Sequence, residues 1–243
     1  MLRVLHTLHD LAEEAPLLTQ LEQVRALAGC DSVELYKGLA TDETFHVLTS
    51  TWEDEASFDA FWAQVLAGDF PEYFRLVEGN AEQTGVTEFY RCERFALKNG
   101  AWQPEGVAEK GRTIMWPARG QVRIVIQNAV QASDAMYVKI RQEIIDTRRE
   151  LGCLSYTWCE NVELPGHLLL EEIWADQVLY DQHWALRQHS AEFLGDNLRT
   201  PATPQRGPLA REFYRRQAFE HHYNRWQPAQ LDGFSGTIVW PAS

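Results

Sequence analysis

Alternating and continuous apolar segments in the second half of the chain predict three β-strands. Residues 121–130 are rich in β-branched side chains, which favour an extended backbone. Residues 153–159 alternate between apolar and polar positions, and residues 167–174 form a second apolar segment after a Pro-Gly turn signal. We therefore expect these three segments to lie in one sheet, with the last two joined as a hairpin.

Helical spacing appears in the intervals between these strands. Ile140 and Ile144 recur four residues apart, and Ser133 in front of them is a suitable N-cap. Asp176 can cap a second helix after the third strand, and a short final strand is predicted at 236–240. The predicted order is therefore β-α-β-β-α-β, which is the ferredoxin-like motif.

The first half of the chain repeats this pattern. Residues 88–118 and 212–242 align without gaps at an offset of 124 and are identical at 13 of 31 positions. We therefore predict two packed α+β modules, an N-terminal module of residues 1–119 and a C-terminal module of residues 120–243. The elements predicted for the N-terminal module are strands at 2–8, 32–36, 44–51 and 112–116, and helices at 17–27 and from residue 56.

Composition and charge narrow the classes of partner. The 22 basic and 35 acidic residues give a formal net charge of −13, which disfavours nucleic acid and anionic membrane surfaces as partners. No uncharged apolar segment approaches the ~18 residues of a membrane span, and the acidic N-terminus does not look like a secretory signal. We expect a cytoplasmic protein whose cysteines are reduced. Their spacing matches no metal motif: Cys30, Cys92, Cys153 and Cys159.

One stretch of the C-terminal module carries a recognisable spacing. A Gly152-Cys153 pair opens a strand, a Glu-x-Trp sequence ends at Trp174, and His183 and His189 follow nine and fifteen residues later. With these spacings, residues 151–193 resemble the antibiotic biosynthesis monooxygenase family, which includes quinol and anthrone monooxygenases. The resemblance implies a dimeric α+β barrel, in which two ferredoxin-like sheets pack face to face.

Two such modules in one chain then form an intramolecular pseudo-dimer, and the sequence leaves further association of copies open. The resemblance implies a reaction without a metal or a tightly bound flavin, although some relatives with fused modules use externally supplied reduced flavin. The N-terminal module departs from the pattern, because Phe61, Ala67 and Ser50 stand where the C-terminal module has His183, His189 and Glu172. We therefore expect one working pocket, in the C-terminal module; the alternative is that the pocket of the N-terminal module binds a different molecule.

Three residues are candidates for catalysis. His183 has an ordinary pKa near 6.5, so it can accept a phenolic or C–H proton at neutral pH. Trp174 can orient a substrate oxygen through its indole N–H, although packing explains a Trp at a strand end equally well. Asn128 lies in a predicted strand, where Asn is uncommon, and can hold a carbonyl or enolate oxygen or mark a strand end.

Further residues are candidates for substrate binding on the same strand and helix faces. Glu172 shares a strand face with Trp174 and is a candidate partner for an imidazole or a solvated strand residue. His189 lies about 120° around the helix from His183, so the two do not form a metal site there. The remaining candidates share an aromatic or cationic character and also fit a packed core: Tyr156, Tyr180, Trp184 and Arg187.

Three functional hypotheses follow. The leading one is an O₂-dependent monooxygenase acting on a small phenolic, anthrone or quinol-like aromatic substrate. The second is a haem-binding or haem-degrading protein of the same fold, in which His183 would be the axial ligand and Arg187 the available base for propionates. The third is a non-catalytic small-molecule-binding protein, since one fold hosts many functions.

Overall fold

A computed structural model describes residues 1–9, 11–81, 87–91, 95–98, 101–104, 120–188, 211–222 and 225–228. Helices and strands alternate through both halves of this described part. The helices are α1 (Ala15–Arg25), α2 (Glu55–Ala67), α3 (Pro71–Ala81), α4 (Asp134–Thr147) and α5 (Gln177–Gln188). The strands are β1 (Leu2–His9), β2 (Cys30–Gly38), β3 (Phe45–Trp52), β4 (Thr87–Arg91), β5 (Phe95–Lys98), β6 (Ala101–Pro104), β7 (Val122–Ala129), β8 (Cys153–Asn161), β9 (His167–Trp174), β10 (Arg211–Arg215), β11 (Ala218–His222) and β12 (Arg225–Pro228).

The predicted helix caps are confirmed. The Ser133 hydroxyl accepts a hydrogen bond from the Met136 N–H at 3.2 Å, in front of α4. The Asp176 carboxylate accepts from the Leu179 N–H at 2.9 Å, in front of α5. Each cap satisfies a backbone donor that the first helical turn leaves without an internal partner, and therefore fixes where the helix begins.

Both modules have the same sheet order. The N-terminal module is ordered β2-β3-β1-β4 and the C-terminal module β8-β9-β7-β10, and β2 pairs with β8 to join the two units into one ten-stranded sheet. At the far end β11 pairs with β4, and only residues 216 and 217 separate β11 from β10. Because consecutive strands lie at opposite ends of the order, the sheet curls until its ends meet. The fold is an α+β barrel of two ferredoxin-like units, as predicted.

Reciprocal hydrogen bonds hold the two units together where β2 meets β8. The Leu39 N–H donates to the Trp158 carbonyl at 2.8 Å, and the Val162 N–H donates to the Leu35 carbonyl at 3.0 Å. Each unit thus gives the other the same kind of backbone bond, which is the relation expected of an isologous two-fold interface.

The interior of the barrel combines aromatic and charged groups. Tyr90 stacks on Tyr214 with ring centroids 4.1 Å apart and an interplanar angle of 8°. Arg123 binds Glu88 through its Nε at 2.7 Å, and both side chains are almost completely buried. These contacts connect residues of different modules, so they stabilise the closed barrel rather than either unit alone.

The strand that completes each unit differs from the prediction. It is β4 in one module and β10 in the other, paired with β1 and β7 respectively. The strands predicted at 112–116 and 236–240 lie outside the described residues. Each completing segment contains the sequence Glu-Phe-Tyr-Arg, in which two strand-favouring aromatic residues lie between charged residues, so it shows no alternation of apolar and polar positions. No helix in the described ranges has the length and apolar character needed to cross a bilayer.

Candidate functional site

The candidate site lies where β9 and α5 meet the turn between α4 and β8. Gly152 in this turn has a φ of +85°, and a Cβ there would come within 2.3 Å of Leu179 Cδ1. Glycine therefore allows the turn to approach α5 closely. The Ala175 N–H also donates to the Gly152 carbonyl at 2.8 Å, which fixes the start of the segment that leads into α5.

His183 occupies the face of α5 that this close approach brings against the turn. Its side chain is 5% exposed, and Nδ1 lies 2.8 Å from Glu150 Oε2. Because a carboxylate only accepts hydrogen bonds, it selects the tautomer with the proton on Nδ1 and leaves the lone pair on Nε2. Burial lowers the pKa of His183 from its ordinary value despite the opposing effect of Glu150, so the ring is neutral at neutral pH.

Trp174 lies against the imidazole and is completely buried. The two ring centroids are 4.7 Å apart, with planes inclined at 35°. The indole Nε1–H donates to Glu172 Oε2 at 2.7 Å, so Trp174 and Glu172 form one hydrogen-bonded unit on the helix-facing side of β9. Burial raises the pKa of Glu172 to about 8, and its carboxyl group is therefore protonated at neutral pH.

A second polar group borders the same space beside α4. The Tyr156 hydroxyl donates to Glu143, and the Trp158 indole N–H also points to Glu143 at 3.4 Å. Arg187 donates to the Thr147 hydroxyl at 2.7 Å and lies 3.5 Å from Glu143. Three carboxyl groups that accept hydrogen bonds, those of Glu143, Glu150 and Glu172, therefore lie among the aromatic rings around His183.

The structure brings most of the predicted residues together. Tyr180 lies 6.2 Å from Trp174 and 6.3 Å from His183, measured between ring centroids, and Tyr156 lies 6.1 Å from His183. Trp184 packs against the same cluster, and Arg187 reaches it through Glu143. His189 lies outside the described residues.

Asn128 is not part of this arrangement. It pairs with Leu168 on β9, whereas Val122 pairs with Trp174. The six residues between the two register positions correspond to about 20 Å along the strand, at roughly 3.3 Å per residue. Asn128 and Trp174 are therefore too far apart to bind the same substrate oxygen.

Glu172 and Trp174 also differ from their expected contacts. Glu172 was a candidate partner for an imidazole, but it binds the indole of Trp174, and the imidazole of His183 binds Glu150 instead. The indole N–H is therefore engaged by a carboxyl group and is not directed at open space. Glu150 was missed because it lies 33 residues from His183 and precedes Gly152, with which the recognised spacing begins.

The corresponding region of the N-terminal module is filled with aromatic side chains. Trp52 donates through its indole N–H to Ser50 at 2.9 Å, and Phe61 stacks on Trp52 with centroids 5.0 Å apart. The three residues occupy the places of Trp174, Glu172 and His183. The N-terminal module therefore keeps the packing of this region and lacks its titratable groups, as the alignment of Ser50 and Phe61 predicted.

Within the described ranges, no group of three or more His, Cys, Asp or Glu side chains is arranged to hold a metal ion.

One segment of the chain matches a known protein family. Residues 125–193 match the family model described as antibiotic biosynthesis monooxygenase. This segment contains β8, β9 and α5, and with them Trp174 and His183. No curated protein sequence matches the chain.

Several solved structures are similar to this chain, at low sequence identity and with TM-scores below 0.5. An aldoxime dehydratase in complex with butyraldoxime is similar with a TM-score of 0.43, at 12% identity over 79% of this chain and 72% of that one. A candidate monooxygenase from Fusobacterium nucleatum subsp. nucleatum has a TM-score of 0.31, at 11% identity over 91% and 98% of the two chains. An anthrone oxidase-like protein has a TM-score of 0.27, at 12% identity over 98% and 96%.

Proposed function

We propose that this chain, whose residues 125–193 match the antibiotic biosynthesis monooxygenase family model, uses O₂ to oxidise a small phenolic, anthrone-like or quinol-like aromatic substrate. The observation that carries the proposal is the buried His183–Glu150 pair beside Trp174. A neutral imidazole with its lone pair on Nε2, enclosed by aromatic rings, is suited to remove a proton from an aromatic substrate.

The reaction begins with proton transfer to His183. Nε2 accepts a proton from the substrate O–H or C–H, and the imidazolium that forms is stabilised by the Glu150 carboxylate across the 2.8 Å hydrogen bond. The substrate becomes an electron-rich phenolate or carbanion. Glu172 stabilises this anion by donating its carboxyl proton as a hydrogen bond, because its Oε2 already accepts from Trp174 and the proton therefore resides on Oε1.

O₂ is the oxidant in the following steps. The anion transfers one electron to O₂, and the substrate radical and superoxide combine to form a C–O bond. His183 returns its proton to the resulting peroxide. Loss of the C–H proton at the carbon that bears the peroxide, with cleavage of the O–O bond, then gives a carbonyl group and hydroxide, which takes up that proton to form water. For an anthrone the balance is CH₂ + O₂ → C=O + H₂O. For a phenol or quinol the two hydrogens lost are one O–H and one ring C–H, and no further reductant is required in either case.

The charges around the site favour a neutral substrate. The carboxylates of Glu143 and Glu150 border it beside the protonated Glu172, and Arg187, a cation that faces them, is bound to Glu143 and Thr147. A dianionic ligand such as haem needs partners for two propionates, and Arg187 is already engaged. The electrostatics therefore support a phenol or anthrone over the haem alternative.

Oxygen uptake on a panel of anthrones and hydroquinones tests the proposal. We expect His183→Ala to lower the rate by about 10²-fold or more, the usual contribution of a positioned base. His46→Ala is the matched control, because His46 is also a buried histidine bound to a glutamate, Glu14, at 2.9 Å. It should leave oxygen uptake unchanged.

Each mixture is run with and without reduced flavin. Product formation in a strictly anaerobic mixture, or equal rates for wild type and His183→Ala, would contradict the proposed function. Haemin addition followed by a Soret scan is the parallel arm, and we expect no band of a histidine-ligated haem.

A further inference from the structure

Two β-hairpins cross between the modules in a reciprocal way. The β11–β12 hairpin continues from β10 of the C-terminal module and adds to β4 of the N-terminal module. The β5–β6 hairpin follows β4 of the N-terminal module, and β5 lies beside β10 of the C-terminal module. Each module therefore sends a hairpin to the other.

The β11–β12 hairpin packs on the helix-facing side of the N-terminal module. The Trp226 ring lies 5.0 Å from Trp62 on α2 and 5.0 Å from Phe89 on β4, measured between centroids. The Trp62 indole N–H points to His221 Nε2 at 3.4 Å. The hairpin thus covers the aromatic region that corresponds to the candidate site.

The residues under this hairpin have counterparts at the candidate site. Trp62 follows Phe61 on α2 as Trp184 follows His183 on α5, and Phe89 on β4 corresponds to Phe213 on β10. The Phe213 ring lies 5.6 Å from that of Tyr180 and belongs to the cluster that contains Trp174. A hairpin placed on the C-terminal module in the same way would border the candidate site.

We propose that the β5–β6 hairpin of the N-terminal module forms one wall of the substrate pocket in the C-terminal module, with residue 102 at the register position that corresponds to Trp226. The registers agree, because Trp102 pairs with Leu97 as Trp226 pairs with His221. The N-terminal module, which lacks the catalytic groups, then contributes to the site through this hairpin.

The chemical difference between the two hairpins supports a pocket role. His221 offers an imidazole to Trp62, whereas its counterpart is the apolar Leu97. Leu and Trp carry neither a carboxylate nor an imidazole, so residues of these types at positions 97 and 102 suit a wall that excludes water from the anion that His183 would create. Trp102 is therefore a specificity residue for flat aromatic substrates, an inference that rests on the proposed function.

Photo-crosslinking tests the placement of the hairpin without any activity. p-Benzoylphenylalanine is introduced at position 102 in the full chain, and the crosslinked peptides are identified by mass spectrometry. We expect crosslinks to α5. The same probe at position 226 is the matched control and should crosslink to α2, because Trp226 contacts Trp62 there. Crosslinks from position 102 that avoid α5 overturn the proposal.

Steady-state oxygen uptake tests the pocket role. Trp102→Ala should raise KM for the best substrate by about fivefold to tenfold, the effect of one lost aromatic contact. Trp226→Ala should lower the melting temperature and leave KM unchanged. If either alanine variant does not fold, Trp102→Leu and Trp226→Leu provide the same comparison. Equal KM values for the variants at positions 102 and 226 contradict the pocket role. Absence of oxygen uptake in the wild-type protein contradicts the proposed function instead. In that case the crosslinking result alone decides where the hairpin lies.

Discussion

Arg3 on β1 of the N-terminal module and Glu212 on β10 of the C-terminal module form a buried ion pair. Arg3 Nη2 lies 3.0 Å from Glu212 Oε1, and the two side chains are 3% and 1% exposed. Arg123 and Glu88 form the reciprocal pair from the other module. Two buried charges that satisfy each other across the module boundary make each half dependent on the other for its electrostatic balance.

We therefore expect Glu212→Gln to destabilise the whole barrel. The substitution removes the carboxylate from a buried ion pair, and breaking such a pair costs about 3–5 kcal/mol of unfolding free energy. Urea denaturation measures this loss. Replacing both partners, Arg3→Met with Glu212→Met, should cost less than the sum of the single changes.

An exposed ion pair is the control for this prediction. Arg91 and Glu55 lie 3.2 Å apart with side chains 88% and 64% exposed, so Arg91→Met should change stability by less than about 1 kcal/mol. A Glu212→Gln variant as stable as Arg91→Met would show that the buried pair does not close the barrel.

Removal of the Glu150 charge should alter the pH profile of oxidation. Glu150 raises the pKa of His183 against the effect of burial, so Glu150→Gln lowers that pKa further. The acid limb of the kcat/KM profile then moves to lower pH, because the imidazole stays neutral down to a lower pH. At neutral pH we expect kcat/KM to fall by about tenfold, a part of what a positioned base contributes.

The control is an exposed carboxylate on α4, the helix that precedes the turn of Glu150. Asp146→Asn removes a charge that binds Gln142 at the surface of α4 and should leave the profile unchanged. If Glu150→Gln shifts the acid limb to higher pH, the hydrogen bond between Glu150 and His183 is not the interaction that sets the limb.

The sequence predicted the fold more completely than the site, for physical reasons. Apolar periodicity and helix caps are local, so Ser133 and Asp176 marked two helices correctly. The pairing of β4 with β11 joins distant segments and depends on barrel closure, which no local pattern encodes. The His183–Glu150 contact is of the same kind, because a turn shaped by Gly152 supplies the carboxylate.

Stability should depend on pH through Glu172. Its folded pKa of about 8 lies above the ordinary carboxyl value of 4.5, so the folded state holds a proton that the unfolded state releases. The contribution of this group is fully present below about pH 4.5 and is lost as pH rises through about 8. Glu172→Gln removes the dependence, since an amide does not ionise and its oxygen still accepts from Trp174.

Thermal denaturation of both proteins between pH 5 and pH 9 measures this difference. We expect the melting temperature of Glu172→Gln to exceed that of wild type increasingly as the pH rises. In the oxygen-uptake assay the alkaline limb near pH 8 should be absent from Glu172→Gln. Parallel curves for the two proteins would mean that Glu172 is ionised in the folded state.

Two substitutions can introduce into the N-terminal module a counterpart of the His183–Glu150 pair. Phe61→His places an imidazole on Trp52, but the residue that corresponds to Glu150 is Leu27, which packs against the same core. A buried histidine without a polar partner is costly, so we expect Phe61→His to lose about 2–4 kcal/mol of unfolding free energy. Adding Leu27→Glu should recover about 0.5–3 kcal/mol through the restored hydrogen bond. A double-mutant cycle in urea measures the coupling between positions 27 and 61, and a coupling of zero would show that the two turns do not present their residues in the same way.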